Sequence, residues 1–415
     1  MKVIVAHPGK QHSYRLASAL KKSGDLLCYC TTVYDKDHSI LMKFAKKILS
    51  SDNLKRANNR KNKDLCDEDV IQIGELGGLL EALLFRIDKT KSHFFYEKLR
   101  NINADIFGIK VAKIAIKSKA DAVIMYDSNA MKGFRYLKKK APYIKRILDV
   151  SIAARPYLKS IYSEEIARSG NRDLYLENKT WWGKRQIKKL QNEIDYSDYF
   201  LAASSFVQES LEFCGAKKEQ ILKVPYGANV QNETGHQVNI FRPLEILYVG
   251  QVTYRKGITY LLEAIDELSD REVHLTIVGA YNPSAWYVKK YSTNEKIEFK
   301  GLVTLDKMTK IYSEADVFVI DSIAEGMAQV GIEAMTCGVP IICSHNSGID
   351  DIVEDGVNGY IIPCCNVDAL RRKIIFLLEH REILEALGEN GKEIASRYTW
   401  EEYERNVVSI LGTIF

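Results

Sequence analysis

The sequence predicts an α/β protein of two doubly wound domains facing each other across a cleft. Three observations predict it. Short apolar runs alternate with segments of helical period through both halves, the pattern of parallel βαβ units. A polar, turn-rich stretch without helical period, VPYGANVQNETGHQVNIFRP, separates the halves near Pro225–Pro243. Charge also changes sign across it. Residues 1–235 hold 42 Lys and Arg against 27 Asp and Glu, a balance of +15, and residues 236–415 hold 17 against 27, a balance of −10. The 415 residues suffice for two or three domains, each with its own core.

In the first half, strands are expected at Lys2–Ala6, Leu26–Thr31, Ala122–Tyr126, Arg146–Val150 and Tyr199–Ala203, each a short apolar run rich in branched or aromatic residues. Between the first two lies a helix, Gln11–Lys22, where Leu16, Ala19 and Leu20 share a face and Gly24 ends the segment. Residues 41–63 and 179–189 read as basic and helical. Residues 70–87, VIQIGELGGLLEALLFRI, read as one apolar helical stretch that either packs on its own domain or lies on a membrane surface. The second half repeats the pattern more clearly. Its strands are Glu245–Val249, His274–Val278, Ile297–Phe299, Val317–Ile320, Pro340–Cys343 and Gly359–Ile362. Helices fall at Tyr260–Leu268, Leu305–Glu314 and Asp368–Leu377, and Thr399–Leu411 forms a last amphipathic helix. No internal repeat is visible.

Composition narrows the class. Aromatics at 10% and only 8 prolines argue against disorder. No apolar run reaches the roughly 18 residues that span a bilayer. The start, MKVIVAHPGK, has too short an apolar run for a secretory signal, so an intracellular protein is expected. The 8 cysteines form no CxxC pair, which fits free thiols in a reducing compartment. The 8 histidines include no HExxH and no metal-ligand cluster, so no metal is expected. The basic half suits an anionic membrane, an anionic substrate or nucleic acid, or is a solvated lysine-rich surface.

Three segments carry chemistry. His7-Pro8-Gly9-Lys10 follows the first strand, and a glycine there lets backbone amides approach a phosphate. The segment matches neither GxGxxG nor the P-loop, and a glycine also serves such a turn without any ligand. Gly250-Gln-Val-Thr-Tyr-Arg255-Lys256-Gly257 places two cations ahead of a helix, where the dipole disfavours them. That mismatch points to anion binding, with Arg255 able to grip phosphate oxygens in a fork and Lys256 acting as a point charge. The sharpest segment is Asp321-Ser-Ile-Ala-Glu325-Gly-Met-Ala-Gln-Val-Gly-Ile-Glu333, after the strand Val317–Ile320. Glu325 would precede the first turn of a helix, with the amides of Gly326, Met327 and Ala328 behind it and Glu333 further along. Carboxylates there accept hydrogen bonds from vicinal hydroxyls, and the amides suit a phosphate. The plainer reading has Glu325 favouring the helix dipole and Glu333 on the surface.

These segments resemble the glycosyltransferase family 4 enzymes of GT-B fold, which are retaining and use nucleotide sugars, and among them bacterial surface-polysaccharide glycosyltransferases. Glu325 and Glu333 match the family's E-x7-E motif, followed by EAMTCGVPIICS. Val249–Gly257 resembles its phosphate-gripping strand and loop, and Val224–Asn229 its interdomain element. Ser347–Val353 resembles its G-G-x-x-E-x-V stretch, and Tyr398–Glu401 the start of its closing helix. The likeness is specific over 195–405 and looser over 1–190.

The resemblance implies an acceptor-binding domain at 1–228, a nucleotide-sugar domain at 240–397 and a helix at 398–415 packing back on the first. It implies that Arg255 and Lys256 hold the diphosphate, helped by amides at Gly9, Gly250 and Gly326–Gln329. Glu333 would bind the ribose, and Glu325 the 3- and 4-hydroxyls of the donor sugar. Catalysis would rest on charge stabilisation of the departing diphosphate, with Glu325, Arg255 and Lys256 as its residues. The donor would be a UDP- or GDP-sugar, with no cofactor, and the acceptor a glycan or lipid-linked hydroxyl. The expected location is cytoplasmic, in peripheral contact with the anionic inner face of the plasma membrane through the basic half. Two departures stand out: Gln251 replaces a frequent Arg, and no histidine ends the strands at Met125–Asn129 and Asp149–Arg155. Asp127, Ser151 or Arg155 could line that position, and His12 is a candidate on the acceptor side. A non-catalytic sugar-nucleotide-binding partner and a nucleic-acid-binding protein remain alternatives; the latter gives Glu325 and Glu333 no task.

Overall fold

The computed structural model describes residues 1–9, 12–36, 61–87, 94–229 and 241–415. They form two parallel sheets. The first contains β1 (Val3–Ala6), β2 (Leu26–Thr31), β3 (Val70–Gln72), β4 (Ala122–Tyr126), β5 (Lys145–Val150), β6 (Tyr199–Ala202) and β7 (Ile221–Lys223), in the order β3-β2-β1-β4-β5-β6-β7. The second contains β8 (Leu244–Val249), β9 (Val273–Val278), β10 (Ile297–Gly301), β11 (Val317–Ile320), β12 (Ile341–Ser344) and β13 (Gly359–Ile362), in the order β10-β9-β8-β11-β12-β13. Helices cover both faces, so the inner strands are apolar along their whole length, as in Val3–Ala6 and Ala122–Tyr126, all buried. In each sheet the strand order reverses beside the first strand, between β1 and β4 and between β8 and β11. Ligands in such sheets bind outside the strand carboxyl ends at that reversal.

Among the described residues the halves meet at several places, of which three stand out. An apolar cluster brings Tyr162, Trp181 and Phe206 against Tyr254, Tyr260 and Ile323. Ser204 Oγ donates to the Gly326 carbonyl at 2.5 Å, and the Ser205 amide donates to Asp351 Oδ2 at 2.9 Å. The final helix, Trp400–Gly412, is capped by Thr399, whose Oγ1 accepts the Glu402 amide at 3.1 Å. It packs on the first helix, Ser13–Lys22: the Arg15 guanidinium lies 5.0 Å from the Trp400 ring, and Lys22 pairs with Glu404 at 2.6 Å.

Some sequence expectations need correction. The stretch 70–87 is two elements: β3, favoured by the branched pair Val70 and Ile71, and a helix, Glu75–Ile87, separated by Gly74 at φ +75°. The segment 179–189 spans two helices, Asp173–Trp182 and Lys184–Tyr196, that meet at Gly183. The edge strands β3 and β7 have only 3 residues each, too few to show a period. Of the basic segment 41–63, residues 41–60 lie outside the described residues, as do Lys10 and, within the interdomain stretch, residues 230–240.

Candidate functional site

The two cationic residues and the first acidic residue of the sharpest motif converge at the carboxyl end of the second sheet. After β8 the chain passes Gly250 into the turn Tyr254–Lys256, then through left-handed Gly257 (φ +71°) into the helix Ile258–Asp266. A side chain at Gly257 would collide with the Asp321 carbonyl, so the turn presses directly on the loop after β11. That loop supplies Glu325. Its Oε1 pairs with Arg255 Nη1 at 2.7 Å and with Lys256 Nζ, while Arg255 Nη1 also donates to the Ala324 carbonyl at 2.6 Å. Burial pushes the Glu325 carboxyl up, but Arg255 and Lys256 outweigh it and hold the group below the usual glutamate value. Burial lowers the Lys256 ammonium despite the pull of Glu325. The other half steadies this turn: Glu177 accepts the amides of Tyr254 at 2.8 Å and Arg255 at 3.2 Å.

Past Glu325, Gly326 sits so close to the first half that a Cβ there would strike the Ser151 carbonyl. The Met327 sulfur accepts the Tyr226 amide at 3.3 Å, Ala328 is buried, and Gln329 opens the helix Gln329–Thr336. Glu333 lies on that helix, half-buried, its Oε2 accepting the Tyr312 hydroxyl at 3.1 Å; burial raises its pKa.

A cavity of about 640 Å³ lies between the halves, lined by His12, Arg15 and Tyr226 on one side and Glu325, Gly326, Met327 and Gln329 on the other. His12 stands just before the helix Ser13–Lys22. Its Nε2 is 3.1 Å from both Asp149 carboxylate oxygens and 3.1 Å from the Tyr226 hydroxyl. These contacts fix the orientation of the imidazole. Sequence reasoning missed Asp149, Tyr226 and Glu177. The one signal for Asp149 was its place near the carboxyl end of β5, where parallel sheets present ligand-binding groups.

The remaining candidates lie apart. Asp127 and Arg155 line a separate void of about 20 Å³ together with Glu193. Asp127 Oδ1 accepts the Ser151 amide at 3.3 Å, so it borders the large cavity only through Ser151. The Arg155 guanidinium lies over the Trp181 ring at 5.0 Å. The Gly9 amide donates to His7 Nδ1 at 2.9 Å, and neither Gly9 nor Gly250 lines the large cavity. Another cavity of similar volume, bordered by Arg242, His274 and Glu314, lies at the amino ends of β8 and β9 and holds none of the predicted residues.

The family of glycosyl transferases group 1 matches residues 233–394, a span that contains Arg255, Lys256, Glu325 and Glu333. An uncharacterized glycosyltransferase of Methanocaldococcus jannaschii is 26% identical over 278 residues, covering 62% of this chain and 70% of that protein. A putative colanic acid biosynthesis glycosyltransferase of Salmonella typhimurium is 25% identical over 234 residues, covering 52% of this chain and 57% of that protein. Among solved structures, the HepE protein of Anabaena in complex with UDP and glucose aligns over 100% of both chains with a TM-score of 0.60 at 15% identity, a likeness of fold.

Proposed function

The chain belongs to the group 1 glycosyltransferases, the retaining family 4 of two-sheet GT-B fold, and we propose that it moves the sugar of a UDP- or GDP-sugar to a hydroxyl of a glycan or lipid-linked acceptor in cell-surface polysaccharide synthesis. In this reading residues 1–228 bind the acceptor and 240–397 the donor, and the enzyme works at the inner face of the plasma membrane. The observation that carries it is Glu325 on one wall of the cavity, paired with Arg255 and Lys256, which do not themselves line it, opposite His12, whose ring Asp149 holds. The nucleotide in the Anabaena structure and the colanic acid role named for the Salmonella relative support it.

The chemistry follows from the charges. Arg255 and Lys256 are neutralised by a single carboxylate and keep one positive charge in excess. A donor diphosphate replaces Glu325 as their partner and frees that carboxylate to accept hydrogen bonds from the sugar hydroxyls. As the C1–O bond to the diphosphate breaks, negative charge grows on the leaving oxygen, where the two cations and the amides of Gly326, Met327 and Gln329 stabilise it; the Ala328 amide, expected among them, is instead held by the Ser347 carbonyl at 3.2 Å. The acceptor oxygen forms its bond to C1 on the same face, and its proton passes to the leaving phosphate. Glu333 binds the ribose. His12, fixed by Asp149, positions the acceptor hydroxyl.

The test is a thermal-shift titration with UDP-, GDP-, ADP- and dTDP-sugars, followed by nucleotide release, on wild type and Glu333→Ala. Stabilisation by one nucleotide class, lost in Glu333→Ala, supports the donor site, and release with an acceptor supports transfer. No shift with any nucleotide sugar, alongside a shift with RNA or DNA, overturns the reading.

A further inference from the structure

The helix Glu75–Ile87 is folded inside out. Leu76, Leu80, Leu83 and Ile87 recur at the spacing of one helical face. That face is turned to solvent, with the four residues 64, 53, 51 and 59% exposed. The inward side carries Gly77, Gly78 and Glu81, with only the leucines Leu79 and Leu84 half-buried among them. A Cβ on Gly78 would collide with the Thr32 side chain, one on Gly77 would stand 2.9 Å from Asn103 Oδ1, and Glu81 accepts from Asn103 Nδ2 at 2.9 Å. A soluble helix ordinarily buries its leucines and exposes its polar side.

The helix packed beside it, Phe94–Lys117, continues the exposed face. Its outward line reads Phe95, Lys98, Ile102, Ile106, Lys110, Lys113 and Lys117, all exposed. Its acidic groups are engaged, Glu97 by Arg100 at 2.9 Å and Asp105 by Lys189 at 2.8 Å. Among the described residues the four lysines have no acidic partner. Neither helix is long and apolar enough to cross a membrane.

We propose that this helix pair seats the protein in the plane of a bilayer surface carrying anionic phospholipid, leucines and isoleucines at the acyl boundary and lysines among the headgroups. Charge selects this occupant: a second copy on the same face would set lysine against lysine. Position agrees, because the helix Glu75–Ile87 starts at the carboxyl end of β3 and rests on Thr32 just past β2, the end of the first sheet that faces the cavity. The inference deepens the acceptor side of the function proposed above, and rests on it only for what the bilayer carries.

The test is co-sedimentation of the full chain with vesicles of mixed phosphatidylcholine and phosphatidylglycerol, without donor or acceptor. Wild type should pellet with these vesicles and far less with phosphatidylcholine alone. Leu80→Glu with Leu83→Glu should cut binding by about tenfold or more. Lys110, Lys113 and Lys117 changed to Gln should weaken it by about fivefold per lysine. Leu305→Glu, an equally exposed apolar site on the other half, should change nothing. Each variant's thermal shift with a nucleotide sugar checks that it is folded. Wild type left in the supernatant at low salt, or undiminished binding by Leu80→Glu/Leu83→Glu, overturns the proposal. So does a dimer in light scattering that this pair abolishes. Loss of vesicle binding with donor binding intact removes the bilayer contact alone, whereas a wild type that binds no nucleotide sugar removes the function.

Discussion

The two sides of the site are built differently. On the second sheet's side the working groups come from two short stretches, 250–257 and 325–333, each following one strand, β8 or β11. On the first sheet's side, His12 meets Asp149 and Tyr226, 137 and 214 residues away along the chain. One side is a pair of local motifs and the other a constellation assembled by topology. A local motif carries its geometry with it, because a strand end, a turn and a helix start fix where the side chains point. A constellation becomes visible only when the sheet is folded.

The largest effect should come from breaking the local side. Arg255→Ala combined with Lys256→Ala removes both charges opposite the leaving group, and turnover should fall on the order of a thousandfold, read as nucleotide release. The same change strands Glu325 without its two partners, so the protein should also lose stability. Adding Glu325→Gln should restore stability but not turnover. If turnover survives the double change, the cations are structural and the contrast between the sides loses its chemical meaning.

Glu333→Ala comes next. It removes an acceptor of the proposed ribose contact, and donor dissociation should rise by about ten- to a hundredfold with a smaller change in turnover. The expectation sharpens the comparison, because Glu333 is on the same motif as Glu325 but borders Tyr312 rather than the large cavity. An unchanged donor affinity would leave Glu333 as a buried partner of Tyr312 and shrink the motif's functional part to Glu325.

How far the fold was legible follows the same division. Strands such as Ala122–Tyr126 and Val317–Ile320 stand out because burial on both faces demands continuous apolar runs. The edges β3 and β7 do not, since 3 residues carry no period. The helix Glu75–Ile87 was legible only as part of one apolar helical stretch over 70–87, and which face turned inward was not. Periodicity marks a face, and only the glycines against Thr32 and Asn103 decide its direction. In the site, Glu325, Arg255 and Lys256 were each readable as candidates, though their pairing with one another was not. Asp149 was not, because nothing in its own segment distinguishes it from any strand-end carboxylate. Asp127 and Arg155, placed by the same logic, border a different void.

The assembled side should be softer. His12→Ala removes one positioning group and leaves the donor side intact, so kcat/KM for the acceptor should fall by about tenfold while donor affinity holds. Tyr226→Phe, which leaves Asp149 on the imidazole, should cost about threefold. Equal losses of donor affinity in both variants would mean that the two sides act as one unit.

The smallest effect is one of pH and concerns a single ammonium. Lys256 must be charged to hold a diphosphate, and burial lowers its pKa below the ordinary lysine value while Glu325 pulls it back up. Donor affinity should therefore weaken by a few-fold as pH rises through that lowered value, before the ordinary lysine range is reached. Glu325→Gln deletes the group that favours the charged form, so its alkaline limb should move to lower pH. Lys256→Arg should flatten the limb, because a guanidinium stays protonated across the range. Titrating nucleotide-sugar affinity against pH in the three proteins separates the outcomes. A limb that persists unchanged in Lys256→Arg belongs to another group, and the excess charge that distinguishes the donor side would then have to be sought at Arg255 alone.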